Sequence, residues 1–258
     1  MSSSFDFQGP AGVSDTPVAD ADQPGLVERA FTRLFLRPVR VIASTSLATR
    51  FRLIDLECVA FESHRWSPGQ KVQIKIGGGL EMRTYTPVRW DAARGVTRIV
   101  AFAHGEGPGS EWVHRARPGD ERQVFGPRRS LAMEPLAAST IVFGDETSFG
   151  LAASLCGRDA SAQGVRAVFE VGAIAESRRV LDALGIRPLA LMERRTDDSH
   201  LLELLSAMVP PMDGSTHYVL TGKASSIRQM SRALKAQGVE SRRIRAKAYW
   251  APGKTGLD

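Results

Sequence analysis

Several absences narrow the reading of this 258-residue chain before any motif is considered. It contains no apolar run of ~18 residues, so no segment can cross a bilayer as a helix. It has two cysteines, Cys58 and Cys156, far apart and outside any CxxC. That excludes a disulfide framework or a zinc site and fits a reducing, cytoplasmic setting. There is no GxGxxG, Walker loop, HExxH, EF-hand loop or Ser/His/Asp order, so hydrolase and metalloenzyme readings have no support and no catalytic side chain is predicted. Residues 1–24 lack the charged and apolar regions of a secretory signal. Rich in Ser, Asp, Gly, Pro and Ala, they are expected to form a mobile tail. Nothing pairs basic runs with aromatics, so the net charge of +6 does not read as a nucleic-acid surface. It points instead to an anionic ligand or an acidic protein partner.

The length suits two domains, expected over 25–130 and 131–258 after the tail. Residues 26–37 have the pattern of a short amphipathic helix. From 39 to about 125 the chain reads as all-β, with strands at 39–44, 51–59, 71–76, 83–90 and 98–104. The 71–76 run alternates polar and apolar residues, the period of a half-buried strand. One short helix is expected over 110–117. These pieces predict an antiparallel six-stranded barrel. Residues 127–139 read as a connector. Beyond it strand and helix alternate: strands at 140–145, 165–172, 189–193, 217–221 and 244–250, helices at 147–156, 176–184, 199–208 and 225–237. That alternation predicts a doubly wound parallel sheet built to bind a nucleotide.

Two segments carry chemistry. Arg83-Thr84-Tyr85-Thr86 stands at a strand end: the Arg can pair with a pyrophosphate and the Tyr ring can lie on an isoalloxazine. About twenty residues on, His104 precedes a Gly/Ser turn, with Gly107, Gly109 and Ser110 opening a helix that contains Trp112. Such a helix start presents backbone N–H groups to phosphate. One segment supplies a stack and a cation, the other a phosphate cradle, so together they predict an FAD site. The same turn also reads as an ordinary Ser-capped helix. Gly144-Asp145-Glu146-Thr147 lies where a doubly wound sheet binds nucleotides, with Asp145 and Thr147 as candidate contacts. It reads equally as a helix cap.

These residues resemble the siderophore-interacting protein family within the ferredoxin–NADP reductase superfamily. The likeness rests on Arg83 to Thr86, His104 to Asp120, Gly126-Pro127-Arg128, Gly144 to Thr147 and Tyr249-Trp250, and covers roughly residues 38 to 252. The resemblance implies bound FAD and cytoplasmic reduction of a ferric-siderophore to Fe(II). It implies electrons from NAD(P)H or a ferredoxin, in a chain expected to be monomeric. Basic positions of the family hold the anionic chelate. Here the family's usual Lys position reads as Gln73, flanked by Lys71 and Lys75, and Ala251 follows the terminal Tyr-Trp where members often carry Arg. Lys71, Lys75, Arg128 and Lys254 are therefore the candidate substrate contacts. Arg178, Arg179, Arg194 and Arg195 are candidates for a 2′-phosphate. The alternative is a flavin reductase passing electrons between NAD(P)H and a ferredoxin or oxygenase partner.

Overall fold

The structure, a computed structural model, describes residues 26–131, 133, 139–156, 164–209 and 215–253. The first half consists of α1 (Leu26–Phe35), β1 (Arg37–Ala48), β2 (Phe51–Glu57), β3 (Lys71–Lys75), β4 (Met82–Tyr85), β5 (Pro87–Asp91), β6 (Val96–Phe102), α2 (Pro108–Arg115) and β7 (Glu121–Arg128). Its strands pair antiparallel in the order β4-β3-β7-β1-β2-β6-β5. β4 and β5 stand at opposite ends of that order, yet only Thr86 separates them along the chain. The two edges must therefore meet, and the sheet curls into a barrel. Alternate residues point inward: Val39 and Val41, Ile54 and Leu56, Val72 and Ile74, Ile99 and Ala101 form one buried cluster, into which α2 inserts Trp112 and Val113.

The barrel has seven strands where six were expected. The run at 83–90 is two strands, because at Thr86 the chain leaves its partner β3 and takes up β6. Pro87, with no N–H to donate, opens the new edge strand. The second difference is β7, which carries the chain through Gly126-Pro127 to Arg128 where a connector was expected. Pro127 interrupts nothing there. Pairing with β1 ends at Val124, and Pro127 falls at the register shift opposite β3.

The second half follows the expected alternation: β8 (Thr140–Gly144), α3 (Phe149–Cys156), β9 (Val165–Val171), α4 (Ile174–Ala183), β10 (Ala190–Glu193), α5 (His200–Met208), β11 (His217–Lys223), α6 (Ala224–Ala236) and β12 (Ile244–Trp250). Every pairing is parallel, in the order β10-β9-β8-β11-β12. Central β8 is buried throughout, as expected of a strand covered on both faces. Strands are added on one side of β8 up to β10 and on its other side from β11, so the crevice beyond the carboxyl ends of β8 and β11 is the switch point of the sheet.

Barrel and parallel sheet each have a buried cluster of their own and share a third between them. Phe51 of β2 stacks on Phe149 of α3 at 5.6 Å, and Phe149 meets Phe169 of β9 edge-on at 4.9 Å. Arg50 adds a bridge to Glu176 of α4, its Nε donating at 2.7 Å. Among the described residues no helix is long and apolar enough to cross a membrane.

Candidate functional site

A cleft of about 240 Å³ lies between the barrel mouth and the carboxyl edge of the parallel sheet. β4 and Thr86 line it with Arg83, Thr84, Tyr85 and Thr86; the turn before α2 contributes His104 and Gly107, and the first turn of α2 contributes Gly109 and Ser110. Thr147 faces them from the parallel sheet. The two segments singled out in the sequence therefore share one wall.

The details fit an anion and a flat ring. The Arg83 side chain lies across Gly109, where an added Cβ would stand 2.7 Å from the Arg83 Nε. Only glycine leaves room for that crossing. Gly107 enters α2 with φ +124°, a backbone that favours glycine. No side chain caps the helix start, and Pro108 takes the first helical position. The N–H groups of Gly109 and Ser110 are thus left to a ligand at the cleft, beside a guanidinium. Arg83 Nη1 donates to the Met82 carbonyl at 3.1 Å, and Nη2 pairs with Glu81 at 3.0 Å.

Tyr85 rests on Trp112, ring centroids 5.5 Å apart and tilted by 49°. Burial pushes the Tyr85 phenol up, opposed by the nearby Arg83 charge, so the ring is a neutral platform at any physiological pH. Trp112 itself does not reach the cleft: it is buried behind Tyr85, its indole N–H without a partner among the described residues. The sequence allowed Trp112 either in the core or near the cofactor, and from the core it supports the tyrosine that lines the cleft. His104 stands at the exposed rim, where desolvation and then the Arg83 charge hold its imidazole below the usual value.

Asp145 differs from expectation. It is fully buried and does not line the cleft. Its carboxylate accepts from the Thr147 N–H at 2.9 Å, from the Thr147 hydroxyl and from the Trp250 indole N–H at 2.7 Å. Ser148 Oγ in turn accepts from the Asp145 N–H at 3.3 Å, completing a capping box. The helix cap read from the sequence is present at this turn. Burial raises Asp145 to about 6 despite those donors. Glu146, equally hidden, takes the Gly172 N–H at 2.6 Å and both terminal nitrogens of Arg194. Arg194 is thereby committed inside the fold, and Arg195 pairs with Glu203. Arg178 and Arg179 are exposed on α4.

On the substrate side, Lys71 is buried against the cleft. Lys75 lies at the far end of β3, away from it. Arg128 is drawn off the cleft: it donates to the Gln73 amide oxygen and lies over the Phe125 ring at 4.1 Å. Lys254 falls outside the described residues. Lys247, Tyr249 and Trp250 of β12 line the cleft and were not among the predicted contacts. Lys247 Nζ donates to Ser130 Oγ at 2.9 Å. Lys247 and Tyr249 share a strand face by their two-residue spacing. Trp250 follows a register shift at Gly222/Lys223 and turns toward Asp145. The spacing was visible in the sequence; which wall β12 forms was not.

Comparison with known proteins accords with this geometry. Residues 45–131 match the model of the siderophore-interacting FAD-binding domain, and residues 137–253 that of the siderophore-interacting protein. An NADPH-dependent ferric-chelate reductase of Escherichia coli (strain K12) is 31% identical over 176 residues, a span of 65% of this chain and 65% of that protein. The fold is shared with a siderophore utilization protein from T. fusca at TM-score 0.72 and 24% identity, covering 86% of this chain and 95% of the other. A siderophore-interacting protein from Aeromonas hydrophila superposes at TM-score 0.66 and 19% identity, covering 86% and 93%. The ferredoxin reductase of carbazole 1,9a-dioxygenase does so at TM-score 0.66 and 16% identity, covering 83% and 68%. The two family models together take in most of the chain, and it belongs to the siderophore-interacting protein family.

Proposed function

We propose that this protein is an FAD-dependent oxidoreductase that reduces the iron of a ferric-siderophore or related ferric chelate to Fe(II), in the cytoplasm and as a monomer. The observation that carries the reading is the make-up of one cleft. Arg83, Tyr85 and the start of α2 share its barrel wall, while Lys71 and Lys247 flank the same space. The relative from Escherichia coli named as a ferric-chelate reductase supports the substrate class.

In this reading Arg83 and the N–H groups of Gly109 and Ser110 bind the pyrophosphate. Tyr85, backed by Trp112, orients the ring, and Thr84, Thr86, His104 and Gly107 shape the edge. FAD, when bound, supplies electron storage and single-electron delivery. Lys71 and Lys247 attract an anionic chelate to the mouth. Reduction of iron needs no proton transfer, consistent with a cleft whose one imidazole is held largely neutral. Release follows because hard oxygen ligands hold Fe(II) less tightly than Fe(III). NAD(P)H or reduced ferredoxin is the proposed donor. The self-capped switch point bears on this choice, since buried Asp145 and Glu146 stand where a nucleotide pyrophosphate would approach.

A second reading, a flavin reductase serving a ferredoxin or oxygenase partner, draws on the same observations that weaken the chelate site: Arg128 turned to Gln73, and Ala251 after Trp250. An anaerobic titration separates the two. NADPH, NADH and reduced ferredoxin are added in turn while the flavin absorbance is followed, then a ferric-siderophore is supplied with an Fe(II) trap. Bleaching, reoxidation and Fe(II) capture are expected. A reduced flavin indifferent to the chelate would favour the second reading, and no flavin band after added FAD would refute both.

A further inference from the structure

Arg83, the cation of the phosphate wall, carries a counter-charge from its own hairpin. Glu81 closes the turn between β3 and β4: its N–H donates to the Gly78 carbonyl, and its carbonyl accepts from Ile76. From there the carboxylate reaches Arg83 Nη2 at 3.0 Å. Two glycines make room for the pair. A Cβ on Gly77 would stand 2.3 Å from a Glu81 carboxylate oxygen, and one on Gly109 would stand 2.7 Å from Arg83 Nε. The three neighbours Gly77, Gly78 and Gly79 include two with open space around them, so the turn has latitude to release what it holds. Both partners are about one third exposed, which keeps the pair weak enough to exchange.

The geometry points to Glu81 as an internal competitor for the phosphate-binding guanidinium: its carboxylate and the cofactor pyrophosphate contend for Arg83, so Glu81 lowers FAD affinity and makes the cofactor exchangeable. The inference rests on the reading of Arg83 as the pyrophosphate ligand. A guanidinium whose charge is already compensated attracts a phosphate less. A carboxylate left within reach of that phosphate then repels it, unless the hairpin swings away. Nothing in the sequence motif alone says this, because the pairing depends on the hairpin folding Glu81 back over Gly77.

The test uses the full-length protein stripped of flavin and titrated with FAD or with riboflavin, which has the ring but no phosphate, following the quenching of flavin fluorescence. Glu81→Gln, which keeps the shape and removes the charge, is expected to bind FAD about fivefold more tightly than the parent, the scale of an exposed ion pair. Its riboflavin affinity should stay within about twofold, inside the effect of one such pair. Glu81→Gln with unchanged or weaker FAD binding would overturn the inference, as would equal tightening toward riboflavin. Arg83→Ala separates this outcome from failure of the underlying reading. If Arg83→Ala weakens FAD while Glu81→Gln changes nothing, Glu81 is no competitor and the phosphate reading stands. If Arg83→Ala retains parental FAD affinity, the phosphate reading falls and the competition with it.

Discussion

Single charges divide the work of this cleft. Lys247 reaches it from β12 while bonded to Ser130 at 2.9 Å, a half-buried ammonium at a mouth that would admit an anionic chelate. Lys247→Ala is expected to raise KM for a ferric chelate about fivefold with kcat unchanged, as fits one charge near a surface. The gap should close as salt approaches ~1 M, where the screening length is ~3 Å. Lys247→Arg should restore KM; an uncharged substitution that leaves KM and its salt dependence intact would remove Lys247 from substrate binding. Asp145 behaves differently. Its folded value of about 6 stands above the ordinary 3.8, with desolvation the main cause. The folded chain therefore holds this proton more tightly than the unfolded chain. The stability it contributes is full below about pH 4 and is lost as pH rises through about 6, a loss on the order of 3 kcal/mol. Asp145→Asn keeps an acceptor for Trp250 but removes the titration. Urea unfolding at pH 4 and pH 7.5 should show the variant gaining on the parent by that order between the two. A constant difference would mean that Asp145 does not titrate in this window.

At the scale of elements, legibility depended on whether a pattern was local. The alternation in Lys71–Lys75 marked β3, and strand–helix alternation marked the parallel sheet, because each signal lies within one element. β7 could not be read this way. Arg122, Gln123 and Phe125 are all half-buried, which blurs the period, and Gly126-Pro127 reads as a terminator. Only β1 and β3 on either side make it a strand. The same limit applied to the site. Arg83 to Thr86 and the α2 turn could be joined in thought because each carries its own chemistry, whereas Lys247 is an ordinary surface-type lysine until β12 is placed against the barrel. Gly222 illustrates a constraint invisible in sequence. It stands one residue before the end of β11 at φ +102°, and a Cβ there would lie 2.5 Å from Asp145 Oδ2. Gly222→Ala should cost about 2 kcal/mol or more through backbone strain and collision with a buried carboxylate. Gly78→Ala, with nothing within 4 Å, serves as the control. It should be neutral to within about 0.5 kcal/mol. Equal denaturation midpoints for the two variants would contradict this account of the crevice.

For the whole molecule, the decisive feature is that the cleft has one wall from each sheet and that, between the barrel's own core and the parallel sheet's, a third buried cluster draws on both. Phe51 and Val100 from the barrel belong to the same buried cluster as Val142, Phe149 and Phe169. Arg50 and Glu176 close its edge at 2.7 Å. Relative motion of the halves would have to open this cluster, which an interface of small polar contacts would not require. The halves should consequently unfold together. Calorimetry is expected to show one transition, and Phe149→Ala should lower it as a unit by about 3–5 kcal/mol, the cost of a buried Phe truncated in place. Ligand linkage provides the stricter check. FAD at about 100 times its dissociation constant should add ~2.7 kcal/mol to the folded state. If the halves are one cooperative unit, that gain shifts the entire transition although the proposed contacts of the pyrophosphate and ring lie on the barrel. Two transitions, with FAD moving only one, would show that the aromatic contact from Phe51 through Phe149 to Phe169 does not couple the cleft's two walls.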